Sequence, residues 1–583
     1  MKFKIKKFEL QNGLTFSPGA ITVIVGANNC GKTRLLKEID KYFRQSQDFD
    51  YKIIRSISSE KGDLDEIVKD IGLTKSTTID GTNHTFDQPN GYFGRINQTI
   101  NNEYFETMIK EVRQLGPLES TLFRNIFGPV CAALVQTEDR LIASKLAQVQ
   151  VAGNGFLDTI YEGGTFLEKK VSGYTLQAFG MNIKLDISIP GMLSIKVGDD
   201  FSSIPPDPRD AKSEMKKFQL LEDQGDGFRS FATALLMLLV TKRPVVLVDE
   251  PEAFLHPPQA ALFGRIIAEL IIEPQYIFLA THSADFLRGL ISVRSDINIL
   301  RLTRNTKGTS GHVLQTAEIN QIIKSPMLNS TRVLDSLFYQ GAVIVEGDSD
   351  RAFYEKVARR YFASDEVHYI HAHNKQTIHR LIEPYAKASV KYGVILDFDV
   401  LRERVDLRKI IIATTQTKHL ERALELQKII QDAINGESAV DIYKKLSTSL
   451  HRTYMIESSL TNIDSVEGDK NQIAESRIFD LKLEMKKQID ETDKWYGVKK
   501  FGTDALPIAA IAAYYELESI CSSIGIYIVP CGSLESWLVN HGLIYSENKS
   551  KWISRALMWL DENNPKNMPV RDFLNGIHKN LFA

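Results

Sequence analysis

Cysteine is scarce in this chain. Four occur among 583 residues, Cys30, Cys131, Cys521 and Cys531, and no two form a CxxC pair. That spacing excludes a cysteine-built zinc module and points to a reducing compartment. Long apolar runs are missing as well. No stretch reaches the roughly 18 consecutive apolar residues of a membrane span. The basic start "MKFKIKKFEL" is not followed by the apolar core of a secretory leader, so a cytoplasmic location and no membrane partner are expected. An excess of one charge is also absent: 71 Lys and Arg face 73 Asp and Glu, a formal net charge of −2. Whole-surface attraction to nucleic acid is thereby excluded, and any such binding must use a local basic patch or metal ions. No internal repeat or low-complexity tract stands out. What remains is 43% apolar and 25% charged, ordinary for a globular chain long enough for more than one domain.

Several short apolar runs read as strands buried on both faces: "ITVIV" (21–25), "VVLV" (245–248), "YIFLA" (276–280), "AVIV" (342–345), "GVIL" (393–396) and "IYIV" (526–529). Unbroken rather than alternating apolar runs suit parallel sheets covered by helices. Polar or acidic residues follow most of them at once, and ligands of α/β sheets bind at the carboxyl ends of strands. The expected fold class is therefore α/β in two domains, 1–330 and 331–583. The first carries an α+β insertion at about 55–220. Its centre, "YTLQAFGMNIKLDISIPGMLSIKVGDD", alternates and predicts antiparallel strands, and "SSIPPDPRD" (202–210) reads as a loop. The second domain carries a charge-rich helical insertion at about 401–515, including "IFDLKLEMKKQIDETDKWYGVKK", most of whose charges read as a solvated helix face.

Residues 26–33, Gly-Ala-Asn-Asn-Cys-Gly-Lys-Thr, fit GxxxxGK[ST] between a strand and a helix. Backbone N–H groups of such a loop, here including Asn28, Asn29 and Gly31, cradle phosphates. Lys32 would reach the β- and γ-phosphates of ATP, and Thr33 would ligate Mg²⁺. In "VVLVDEPEAFLHP" a buried strand ends in two adjacent carboxylates, an expensive arrangement without a cation. Asp249 would hold the Mg²⁺, and Glu250 would orient or deprotonate the attacking water. His282 in "YIFLATHSADFL" follows another buried strand, where it could sense the γ-phosphate.

This order of segments resembles the ABC-type ATPase heads of the SMC, Rad50 and RecF kind. The resemblance implies that two heads sandwich two ATP molecules, with a signature loop of one capping the nucleotide of the other. The candidate loop is "DQGDGFRSFATALLML" (223–238), with Gly227 and Ser230 toward the nucleotide. The family places Ser before its paired glycines, whereas here Asp226 separates Gly225 from Gly227 and Ser230 comes later. A homodimer or higher oligomer is implied.

The second informative stretch is "GAVIVEGDSDRAFYEKVARR" (341–360), where a buried strand stops at Glu346 and Asp350 follows. About fifty residues on, "YGVILDFDV" sets Asp397 and Asp399 at another strand end, where positions i and i+2 of a strand point to the same side. Carboxylates so gathered call for hard divalent cations such as Mg²⁺ or Mn²⁺. A pair of ions about 4 Å apart would clamp the oxygens of a phosphodiester undergoing attack.

A Glu after the first strand and a DxD after a later one resemble the Toprim fold. A RecF-like head followed by Toprim is similar to the OLD family of ATP-dependent nucleases, which includes the nuclease subunit of Gabija systems and retron-associated nucleases. Carried over, Glu346 and Asp350 match EGxS[DE], and Asp397 and Asp399 match DxD. Glu535, after "IYIV", is the further acidic ligand the family implies. A C-terminal Lys that stabilises the transition state is also implied. Lys551 is preferred here, with Lys549 and Lys566 as alternatives. The resemblance implies ATP and Mg²⁺ or Mn²⁺ as cofactors, DNA as substrate, and an anti-phage role beside a partner protein or a retron reverse transcriptase with its RNA–DNA hybrid. It does not reach the insertions at 55–220 and 401–515.

Two other readings stand beside the nuclease. One is an ATP-binding scaffold that dimerises and contacts nucleic acid without cutting. The other is a DNA-repair ATPase of the SMC/RecF kind, although no long heptad pattern supports the SMC form. A primase lacks its zinc module here, and a topoisomerase lacks a recognisable tyrosine domain.

Overall fold

A computed structural model describes residues 3–44, 49–88, 96–143, 147–148, 156–241, 243–270, 275–305, 308–314, 333–362, 366–387, 390–436, 493–546, 548–563 and 567–582, with isolated positions between 437 and 492. The chain divides into two compact units, 1–329 with 337–339 and 330–336 with 340–583.

The first unit is organised by a six-stranded sheet. Its order is Gly308–Leu314, Ile297–Asn305, Ile21–Val25, Tyr276–Ala280, Val245–Asp249, Ala132–Val135. All neighbours are parallel except the 297–314 hairpin. The central strands are apolar throughout because both faces are covered, and all five residues of Ile21–Val25 are buried. On one face, helix Lys32–Phe43 sets Leu35, Leu36, Ile39 and Phe43 into a core shared with Phe127 and Val130. Register places Val23 beside Leu279 and Leu279 beside Val248. The three strands therefore deliver the loops at 26–31, 249–252 and 281–283 to one edge.

Within 55–220 lie two antiparallel sheets, Thr74–Thr77 with Asn83–Gln88 and Ile96–Asn101, and Asn182–Asp186 with Met192–Gly198, Gln219–Leu220 and Ala147–Gln148. The start of the stretch expected to be strands, "YTLQAF", is instead the end of helix Gly164–Phe179. Leu167, Val171 and Thr175 recur every four residues and are buried, a helical period that outweighs the local alternation. Gly180 then closes the helix in the left-handed region, its N–H on Leu176 O. The 202–210 loop ends at Asp207, which caps helix Pro208–Met215 with proline in its first turn.

The second unit has four parallel strands in the order Val367–His371, Gly341–Val345, Lys391–Leu396, Ile526–Ile528. Between the last two run helices Arg404–Ala413, Leu420–Asn435, Lys494–Phe501 and Ile508–Ser523. Most of the remainder of the expected helical insertion, 437–492, lies outside the described residues, as does most of "IFDLKLEMKKQIDETDKWYGVKK". Helices Lys549–Glu562 and Pro569–Phe582 close one face of the sheet, packing Trp552, Leu560 and Ile577 against Val343 and Phe353. No helix among the described residues is long and apolar enough to cross a membrane.

His578 is buried in this core, with Nε2 2.8 Å from Tyr369 Oη and its ring against Phe362. Burial lowers its pKa from 6.5 to about 4. The unfolded chain takes up this proton at about 6.5, and the folded chain resists it until about 4. The contribution to stability is full above 6.5 and is lost as pH falls toward 4. All four tryptophans belong to the second unit, so their fluorescence reports its unfolding. The urea midpoint should fall between pH 7 and 5, and His578→Phe should flatten that fall. An unchanged slope in the variant would refute the assignment.

Candidate active sites: a phosphate loop and an acidic strand edge

At the first edge the chain turns through Gly26, Asn29 and Gly31, all at positive φ (145°, 61° and 106°). A Cβ on Gly26 would lie 2.2 Å from Leu302 O, so only glycine lets the loop pass that strand. Gly31 caps helix Lys32–Phe43, whose first-turn N–H groups face the loop. Asn28 and Asn29 are exposed. Lys32 is buried and donates to Gly26 O at 2.7 Å and Ala27 O at 3.0 Å. Burial lowers its pKa. Thr33 Oγ1 donates to Asp249 Oδ1 at 3.1 Å, which joins the loop to the neighbouring strand end. Burial raises the Asp249 pKa, with Thr33 opposing the rise.

Glu250 Oε1 lies 3.3 Å from His282 Nε2. Burial, reinforced by Lys32, lowers the His282 pKa to about 4. Burial therefore favours the neutral imidazole, so this is a close contact and not an ion pair. Glu252, which the sequence reading passed over, accepts from Thr281 Oγ1 at 2.7 Å and from His282 N at 2.8 Å. It fastens the DEPE loop to the THS loop.

The signature candidate departs from expectation. Ser230 is fully buried within helix Asp226–Val240, and its Oγ accepts from Arg140 Nε at 3.0 Å. It faces inward, because at 3.6 residues per turn it lies on the core side with Phe231 and Ala234. Gly227 lies in the first turn, where a Cβ would come 2.7 Å from Phe254 O.

At the second edge, Glu346 follows Gly341–Val345, and its Oε1 accepts from Asp397 N at 3.1 Å. Asp350 is buried in the first turn of helix Asp348–Phe362, where Oδ2 accepts from Gly347 N at 2.9 Å. Glu535 is buried in the turn Leu534–Ser536 beyond the last strand. Asp397 and Asp399 do not extend a strand. The strand ends at Leu396, and Phe398–Arg402 is a 3₁₀ turn. Such a turn rotates by about 120° per residue, so positions i and i+2 diverge instead of sharing a side. Asp397 Oδ2 meets Lys549 Nζ at 3.1 Å, and Asp399 Oδ1 lies 3.5 Å from Lys375 Nζ.

Residues 182–288 match the AAA_21 model (AAA domain, AbiEii toxin type, Type IV TA system). Residues 337–399 match the model "Overcoming lysogenization defect protein-like, TOPRIM domain". The chain carries an AAA-type ATPase domain and an OLD-like TOPRIM domain. It is also 22% identical over 167 residues to the Old nuclease of Escherichia phage P2, a match spanning 27% of this chain and 28% of that protein. Among solved structures, the Smc head bound to the C-winged helix domain of ScpA is 13% identical, with 55% of this chain and 100% of that one covered at a TM-score of 0.34. The SMC head domain from Thermotoga maritima is 14% identical, covering 54% and 100%, at 0.27.

The OLD-like TOPRIM match contains Glu346, Asp350, Asp397 and Asp399 and ends there. Folding adds Glu535 and a lysine. That lysine is Lys549, not the preferred Lys551. Lys549 Nζ sits 3.1 Å from Asp397 and 3.5 Å from Asp350. Lys551, two residues on, is exposed. On a helix, i and i+2 point about 200° apart, so only one of the pair can face the acids. Lys566 lies outside the described residues.

The TOPRIM carboxylates carry their own evidence of crowding. Burial and then Asp397 and Asp399 push Glu346 well above the usual carboxylate range. Burial raises Asp350 to about 7 against the pull of Lys549, and burial likewise raises Glu535. Lys549 is held charged: burial opposes it, but Asp397, Asp350, Glu535 and Glu346 together outweigh that penalty. Among the described residues, no three His, Cys, Asp or Glu side chains are grouped closely enough to hold a metal ion as they stand. Lys549 stands between Asp350 and Asp397. The donor chemistry nonetheless fits a hard divalent cation: the acids are all oxygen donors, and they outnumber Lys549 and Lys375.

Removing Lys549 leaves buried acids uncompensated. Because its side chain is 36% exposed, screening reduces the full cost of a broken buried pair. Lys549→Met should destabilise the metal-free second unit by about 1–2 kcal/mol, and Lys551→Met by less than about 0.5 kcal/mol. Urea unfolding followed by tryptophan fluorescence measures both. Equal effects would contradict the placement.

Proposed function

We propose that this protein is an ATP-regulated, divalent-metal-dependent DNA endonuclease or nickase acting in anti-phage defence. The observation that carries the reading is Lys549 Nζ lying 3.1 Å from Asp397 and 3.5 Å from Asp350 at the edge of the OLD-like TOPRIM sheet, with Glu346 and Glu535 near enough to favour its charge. Glu346, Asp350, Asp397, Asp399 and Glu535 would hold divalent cations, which supply activated water and neutralise phosphoryl oxygens. Lys549 would direct its charge at the phosphodiester where negative charge develops. Lys375, beside Asp399, would steer the backbone of the nucleic acid.

In the ATPase unit, Asn28, Asn29, Gly31, Lys32 and Thr33 would hold the triphosphate. Thr33 and Asp249 would ligate its Mg²⁺, and Glu250 would take the proton of the attacking water. His282, whose Nε2 lies 3.3 Å from Glu250 Oε1, would sense the γ-phosphate beside that carboxylate. Gly227 and the loop before it would face a second head, making the working form at least a homodimer. Nucleotide acts as a switch, since its preference for one of two conformations sets how far the nuclease is biased. A partner protein, or a retron reverse transcriptase with its RNA–DNA hybrid, would supply the trigger.

Supercoiled plasmid incubated with Mn²⁺ or Mg²⁺ tests this reading. Wild type should nick or linearise it, EDTA should stop cutting, and added metal should restore it. Glu346→Ala and Asp397→Ala should each reduce the rate at least about 100-fold, with ATP affinity unchanged. Lys32→Ala should lose ATP affinity. Cutting that survives Asp397→Ala/Asp399→Ala would place the nuclease centre elsewhere. No cutting by wild type in the presence of metal and ATP would favour the scaffold.

A further inference from the structure

We propose that Arg140 is a positioning residue of the ATPase site. It holds the peptide of Glu250 in the conformation that presents its carboxylate, and it links that peptide to the exposed start of helix Asp226–Val240. The inference rests on the ATPase reading above and adds a residue far in sequence from the nucleotide loop and from either acidic motif.

Glu250 has φ 45°, in the left-handed region that a non-glycine residue rarely occupies and only under strain. This twist turns its side chain, 44% exposed, out of the strand end toward His282. The surroundings pin it on both sides. Glu250 N donates to Ala280 O at 2.8 Å, and Ala253 N donates to Glu250 O at 2.9 Å. Arg140 adds the remaining hold. Its Nη2 donates to Glu250 O at 2.8 Å and its Nη1 to Asp249 O at 2.9 Å. A planar fork therefore grips the two consecutive carbonyls that flank the Glu250 Cα. Nε goes to Ser230 Oγ at 3.0 Å, and Nη2 also reaches Thr137 Oγ1 at 3.0 Å.

The side chain is fully buried. A guanidinium withdrawn from water is costly unless its donors are matched, and here carbonyl and hydroxyl oxygens match them. A lysine has a single point of charge and cannot span both carbonyls.

The same helix, Thr137–Ala143, also touches the outside. Leu141 O accepts from Arg229 Nη2 at 2.8 Å. Arg229 Nη1 pairs with Asp226 Oδ1 at 3.1 Å, and the Asp226 side chain is 53% exposed. The path from Asp226 to Glu250 is thus Asp226, Arg229, the Leu141 carbonyl, Arg140, and the Asp249–Glu250 carbonyls. Ser230 braces Arg140 from the same helix. Whatever engages the turn at Gly225–Arg229 acts on the Glu250 peptide through this route.

The test uses the full-length protein. ATP turnover with Mg²⁺ is measured for wild type, Arg140→Lys, Arg140→Met, Ser230→Ala and Glu250→Gln, alongside the affinity of a fluorescent ATP analogue and the crystal structure of Arg140→Met. The expected result is a kcat lowered on the order of 100-fold in Arg140→Met, only partly recovered by lysine, with analogue affinity within about twofold of wild type. Glu250 should leave the left-handed region in the crystal. Ser230→Ala, which removes one brace, should lower kcat a few-fold and keeps the test available if Arg140→Met does not fold. Unchanged kcat, or a kcat that falls only in step with analogue affinity, would overturn the proposal. So would a Glu250 φ that stays positive in Arg140→Met. Equal turnover by wild type and Glu250→Gln would defeat the ATPase reading instead, and the crystal structure of Arg140→Met would then decide the role of Arg140 alone.

Discussion

Acids delivered to one edge of a parallel sheet repel one another, and the second unit is built around that repulsion. Glu346 and Asp350 come from the first strand and the helix after it, Asp397 and Asp399 from the third strand's end, and Glu535 from beyond the fourth. Lys549 projects from a helix more than 150 residues later in the chain than Asp397 and meets both Asp397 and Asp350. Burial weakens water's ability to screen these charges, so Glu346, Asp350 and Glu535 hold their protons more tightly than free carboxylates do. The helices at the C-terminal end, anchored by Trp552 and Ile577, do more than complete the core: they bring the compensating cation.

The nucleotide edge solves a related problem by other means. Asp249 leans on Thr33, Glu252 on Thr281 and the His282 amide, while Glu250 lies beside the His282 ring. Arg140 is a second buried cation beside Lys32, yet it grips carbonyls, not carboxylates. The carboxylates stay free for chemistry while their backbone is fixed. Strain at Glu250 is offset by hydrogen bonds that its neighbours supply.

How much of this could be read from residues alone follows from the range of the interactions. Unbroken runs such as "ITVIV" and "VVLV" announce buried parallel strands, and the residues just after them form the candidate site, because a parallel sheet aligns its carboxyl ends. Gly26–Thr33 and the Asp249-Glu250 pair are contiguous and were legible for that reason. Lys549 and Lys551 were not separable, since helix phase, not composition, decides which one faces inward. Arg140 sits 109 and 110 residues from the carbonyls it holds, and an isolated arginine in a short helix gives no sign of that. Ser230 looked like part of a signature loop, but the apolar helix around it buries it. The shared side expected for Asp397 and Asp399 failed because the strand ends at Leu396 and a 3₁₀ turn begins at Phe398.

In the proposed nuclease, the TOPRIM acids form a site that a divalent cation completes. Calorimetric titration of Mn²⁺ into metal-free protein at pH 7, without nucleotide or DNA, tests it most directly. The account predicts saturable binding to wild type, lost when Glu346 and Asp397 are replaced by Gln and Asn, and tighter when Lys549 is replaced by Met, which removes the competing cation. Mn²⁺ binding of equal strength in wild type and in the Glu346→Gln/Asp397→Asn variant would contradict it.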